Sequence, residues 1–123
     1  MNTICAISTP YGSGGIAVVR VSGESAIEIV DGLFRGRKSL MDAKAYTVHY
    51  GEIMREVKGE RLEVKGEDEI LDQVLVSVFR APHSFTGEDV VEIACHGSIY
   101  IQQTLLQWLV DAGCQMAKAG EFT

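Results

Sequence analysis

Alternating apolar and polar positions divide this chain into short strands and two amphipathic helices. Ile4 to Ser8 and Gly15 to Val21 predict two strands, separated by the turn Thr-Pro-Tyr-Gly-Ser-Gly. A helix then begins after Ser22 or Gly23. Over Ser25 to Phe34 the residues Ala26, Ile27, Ile29, Val30, Leu33 and Phe34 recur at helical spacing, and Gly36 supplies a stop. Strands follow at about Tyr46 to Met54, Ile70 to Phe79 and Val90 to Cys95, each rich in Val, Ile, Leu or aromatic residues. A second helix over Ser98 to Ala112 carries the stripe Ile101, Leu105, Leu106, Trp108 and Leu109. It ends at Gly113, before a short strand at Cys114 to Ala117. The order is two strands, helix, three strands, helix, strand. This pattern predicts an α+β unit of ββαβββα type, a mixed β-sheet packed by two helices.

Two segments stand outside the pattern. Between Arg55 and Glu69 the run REVKGERLEVKGEDE is highly charged and lacks a sustained apolar period, so it reads as a solvated hairpin extension or loop. Within it, the alternation Arg61 to Lys65 is compatible with a small extra strand. Ala81 to Gly97, APHSFTGEDVVEIACHG, passes abruptly from turn chemistry at Pro82, Ser84, Thr86, Gly87 and Asp89 to an apolar strand interrupted by one carboxylate, Glu92. Such a carboxylate points to solvent, pairs with an internal arginine, or serves as an acceptor in a ligand pocket. Arg20, in GGIAVVRVSG, raises the parallel alternatives of ligand contact or an internal ion pair, with Glu92 itself among the candidate partners.

Other chemistry is weaker. The YGSGG turn offers backbone amides to an anion, but no Lys-Ser/Thr pair follows Gly15 and the turn leads into a strand, unlike a nucleotide-binding loop. Cys95 and His96 are adjacent on a strand and so point to opposite faces, which argues against a thiol-imidazole pair; Cys95 reads as core. His49 and His83 show no metal-ligand spacing. No catalytic residue and no metal site are expected.

Length and composition bound the rest. A chain of 123 residues with 46% hydrophobic composition builds one compact core. A net charge of -6 argues against an electrostatic footprint for nucleic acid, so weak or no RNA binding is expected. Cys5, Cys95 and Cys114 are odd in number, widely spaced and preceded by no signal peptide, which predicts a reduced, cytoplasmic protein. No apolar run approaches the ~20 residues that span a bilayer, and no membrane partner is expected.

Three segments carry a family resemblance. The loop and strand APHSFTGEDVVEIACHG, the opening TICAISTPYGSGGIAVVRVSG from Thr3 to Gly23, and the closing AKAGEFT from Ala117 to Thr123 resemble, in order and spacing, the N-terminal domain of the MnmE (TrmE) family of tRNA-modification GTPases. One difference is Gly97-Ser98, where that family more commonly has two glycines. The resemblance implies that residues 1–123 are a tetrahydrofolate-binding and dimerisation domain, similar in fold to the tetrahydrofolate-binding unit of the glycine-cleavage T-protein. The implied ligand is 5-formyltetrahydrofolate or methylenetetrahydrofolate. Glu92 would hold the amino and ring N–H edge of the pterin through two charge-assisted hydrogen bonds, and Arg20 matches the family's folate-contacting arginine. The resemblance also implies a homodimer whose first strands share the interface, with MnmG, a flavoprotein, and tRNA as partners of the intact protein in modifying the wobble uridine. GTP, with Mg and K, would bind only in a separate GTPase domain. Further folate contacts of the family lie beyond Thr123, so reduced folate affinity is expected of this stretch alone.

Overall fold

The computed structural model describes residues 3–9, 15–57, 67–81 and 87–117. Strands β1 (Ile4–Ile7) and β2 (Ile16–Ser22) lead to helix α1 (Ala26–Leu33), strand β3 (Phe34–Gly36) and a 3-10 turn at Leu40–Asp42. Then come β4 (Thr47–Val57), β5 (Glu67–Phe79), β6 (Val90–His96), α2 (Ile99–Asp111) and β7 (Gln115–Met116). The seven strands form one sheet in the order β3-β4-β5-β6-β2-β1-β7, in which every pairing is antiparallel except β1 with β7. The expected mixed-sheet α+β architecture with two helices is borne out.

Both helices pack on one face of this sheet. Val19, Val21, Val91, Ile93, Val76, Val78 and Ile53 point to that face and are fully buried together with Val30 of α1 and Leu105 and Leu109 of α2. Each such side chain contributes on the order of 1.5–3 kcal/mol of burial free energy. Alternation sends their neighbours to the opposite, helix-free face. There Ile16, Val48, Tyr50 and Leu75 are large, apolar and exposed.

Four boundaries differ from the sequence reading. The first helix stops at Leu33, and Phe34–Gly36, expected as helix end and stop, forms edge strand β3 against Gly51–Ile53. Four strands, not three, therefore separate the helices. The reason is local: Gly36 lies opposite Gly51, and the Phe34 ring packs where both glycines lack a side chain. The hairpin strands also run further than expected. Arg55 to Val57 pair with Glu67 to Glu69, because ladder hydrogen bonding continues after the apolar pattern has ended. The last strand shrinks to Gln115–Met116, and the first helix starts at Ala26 rather than at Ser22 or Gly23, since Gly23 has a φ of +144° and its amide bonds Asp89. The expected extra strand at Arg61 to Lys65, the centre of the glycine turn, His83 and the closing GEFT segment lie outside the described residues.

Candidate functional site

The two charged positions of interest sit where the sheet is most regular. Strand β2 pairs with β6 over seven consecutive rungs, and one of these sets Arg20 directly opposite Glu92. Both residues belong to the helix-free face, since their neighbours Val19, Val21, Val91 and Ile93 are buried beneath the helices. The same rung continues through Ala6 on β1, Ser77 on β5 and Val48 on β4. The next rung reads Val18, Ala94, Leu75 and Tyr50. A charged pair thus stands on an apolar floor whose nearest members, Ala6, Ser77 and Ala94, are small.

The pair is made side-on. Glu92 Oε2 accepts from Arg20 Nη2 at 2.8 Å and from Arg20 Nε at 3.1 Å. Glu92 Oε1 has no further partner among the described residues. The side chains retain 25% and 21% exposure, so the ion pair is neither fully desolvated nor free in water. Of the alternatives open for Glu92, the internal arginine partner is therefore realised in this structure. A partly exposed pair keeps an acceptor oxygen on one side and a planar cation on the other, the donor-acceptor combination that a flat heterocycle with an amide-like edge requires.

A second pair closes the end of β6, where His96 shares the face of Glu92 and Asp72 reaches it from β5, on the rung of Ile53. Asp72 Oδ2 accepts from the His96 backbone N–H at 2.8 Å, and Asp72 Oδ1 lies 2.7 Å from His96 Nδ1. The Asp72 side chain is 9% exposed whereas that of His96 is 70% exposed. A register shift in the β4–β5 ladder, between Ile53 and Met54, falls beside Asp72 and sends its carboxylate to the end of β6. Sequence reasoning missed Asp72. The available signal was the one that exposed Glu92: a single acid inside an apolar strand.

Cys95 lies on the opposite face and is buried, as expected. Burial, and secondarily the Asp72 charge, pushes its thiol up to about 11, so it stays protonated and inert. Gln102 is buried at the start of α2 and donates to the Gly97 carbonyl at 3.0 Å, bracing the turn that follows His96. His49 pairs with Thr47, and no group of three metal-ligating side chains occurs among the described residues. Clefts of about 590, 490 and 450 Å³ lie away from Arg20 and Glu92, the first under α1 and the others beside β3 and β4. The third is lined by another cross-strand pair, Arg35 and Glu52, but that contact is longer, at 3.3 Å, and its side chains are 48% and 29% exposed, so we assign the site to the tighter Arg20–Glu92 pair.

The sequence profile described as GTP-binding protein TrmE N-terminus matches residues 3–123. This chain belongs to that family. The tRNA modification GTPase MnmE of Parabacteroides distasonis is 55% identical over 126 residues, covering 100% of this chain and 25% of the relative. The proteins of the same name from Porphyromonas gingivalis and Carboxydothermus hydrogenoformans are each 48% identical, covering 99% of the chain and 24% and 25% of their own lengths. The chain thus spans about a quarter of the relatives it matches. In this member of the family, Arg20, Glu92 and His96 share one face of one sheet. No helix among the described residues is long and apolar enough to cross a membrane.

Proposed function

We propose that this TrmE N-terminus domain binds a reduced one-carbon folate, 5-formyltetrahydrofolate or methylenetetrahydrofolate, and holds two copies of the protein together. The observation that carries the reading is the cross-strand Arg20–Glu92 pair, about a quarter exposed on a floor of small residues. A pterin edge presents an amino group beside a ring N–H. Glu92 meets it as the acceptor, and Arg20 meets a pterin carbonyl or the anionic glutamyl tail. Bound folate supplies a one-carbon unit; the domain's part is to orient it and exclude water.

Dimerisation is supported by the same face. Ile16, Val48, Tyr50 and Leu75 expose apolar surface that a second copy would cover, placing folate near the shared interface. In the whole protein we infer a cytoplasmic GTPase that acts with the flavoprotein MnmG on the wobble uridine of tRNA. GTP and its Mg and K ions would be held outside this stretch. Light scattering of the intact protein, with 5-formyltetrahydrofolate titrated into wild type and Arg20→Ala, tests both parts. The reading predicts a dimer whose folate binding is lost in Arg20→Ala; a monomer, or folate binding indifferent to Arg20, would refute the corresponding part. A purely structural dimerisation domain, its Arg20–Glu92 pair serving only the sheet, is the reading that survives if dimers form and folate never binds.

A further inference from the structure

His96 is held differently from an ordinary surface histidine. Its ring is largely exposed, yet its position is fixed at two points by one carboxylate that is itself nearly buried. A carboxylate at these distances accepts, so Nδ1 carries the hydrogen and, in the neutral ring, Nε2 presents its lone pair to the open face. Asp72 orients the ring. A carboxylate and imidazole so arranged are the acid-base unit of many active sites.

The placement ties this unit to the folate site. Glu92, Ala94 and His96 are alternate residues of β6 on one face, so the carboxylate and the imidazole rise from Cα atoms about 13 Å apart with only the Ala94 methyl between them. Val18 and Leu75 flank that methyl on the neighbouring strands. A ligand held at Glu92 by one end and lying along this floor extends toward His96. The charged groups facing the imidazole are Asp72 from β5 and, further along the sheet, the Arg20–Glu92 pair from β2 and β6. Its cross-strand neighbour on β2, Ile16, is apolar, and Cys95 lies on the other face as a neutral thiol.

We propose that His96 takes up a proton at Nε2 as the folate binds and donates the new N–H to an acceptor atom of the ligand, with Asp72 as its positioning residue. The proton comes from solvent, the N–H bond at Nε2 is the one bond formed, and the buffer is left with one proton fewer. The proposal rests on the folate reading above.

The test is calorimetric titration of the intact protein with 5-formyltetrahydrofolate in two buffers of different ionisation heat, between about pH 6 and pH 8, where imidazole changes charge. Wild type is expected to bind with net proton exchange. His96→Gln should still bind, with affinity lower by about three- to tenfold, the loss of one hydrogen bond, and with the proton exchange abolished. Asp72→Asn, which loses the carboxylate that fixes the ring, should keep binding with the proton exchange diminished. Saturable binding with the same proton exchange in wild type and both variants, or with none in wild type, would overturn the proposal and leave the folate reading intact. Absence of binding by wild type would overturn both.

Discussion

Gly51→Ala gives a sharp check on how β3 is held. A Cβ built at Gly51 would lie 2.5 Å from the Arg35 carbonyl oxygen and 2.5 Å from both Cε1 and Cζ of Phe34. The carbonyl belongs to the paired strand, so it cannot retreat without opening the β3–β4 ladder. The Phe34 ring is buried and already occupies the space left by Gly36 and Gly51. Forcing a methyl into such a contact costs about 1–3 kcal/mol, and expelling the ring instead costs a similar ~1.5–3 kcal/mol. Against this, alanine restricts the unfolded chain and returns about 0.4–1 kcal/mol. The expected net loss is about 1–2 kcal/mol, read as a fall in melting temperature of roughly 3–10 °C for a domain of this size. Gly32→Ala is the control. It lies in α1, a Cβ there meets nothing within 4 Å, and removing glycine from a helix should add up to about 1 kcal/mol. Thermal and urea unfolding, followed by circular dichroism and the fluorescence of buried Trp108, read both variants. A Gly51→Ala variant as stable as wild type, or a Gly32→Ala variant less stable, would refute the packing argument.

Two further predictions concern buried groups. Cys95 is held protonated by burial up to about 11, above its ordinary value of 9.0, so its contribution to stability is complete below pH 9 and is lost as pH rises toward 11. Urea midpoints should therefore fall across that range, less so in Cys95→Ala, and iodoacetamide should label Cys95 in unfolded protein alone; labelling of the native thiol would contradict the burial. Gln102→Leu keeps the side-chain volume but strands the Gly97 carbonyl. It should cost about 1–3 kcal/mol in urea unfolding, and an unchanged midpoint would show that the brace carries no weight.

What was legible in the sequence follows from period and composition. Helix α2 was readable because five apolar residues recur at helical spacing between a Ser98 cap and Gly113, and Ser98 does accept from the Ile101 amide. The central strands were readable from β-branched runs. Strand β3 was not, because Phe34 continues the helical apolar pattern and only the pairing of Gly36 with Gly51, 15 residues apart in the numbering, converts it to an edge strand. The ends of β4 and β5 are charged, and their pairing is carried by main-chain bonds that leave no trace in side-chain pattern. At the site, Arg20 and Glu92 were singled out with each other among the candidate partners, and the register that joins them became visible only when β2 and β6 were paired. Asp72 escaped because its partner is a backbone amide and a ring nitrogen 24 residues on, a contact set by a ladder irregularity.

The central claim, that Glu92 receives a folate, is tested most directly by titrating 5-formyltetrahydrofolate into the intact protein beside Glu92→Gln. Glutamine preserves shape but replaces a charged acceptor with a neutral amide, which removes about 1.5–3 kcal/mol from a charge-assisted contact, or roughly ten- to a hundredfold in affinity. The account predicts a loss of that size in a variant that unfolds at a temperature close to wild type. Equal affinity in both proteins, or no binding by either, would contradict it.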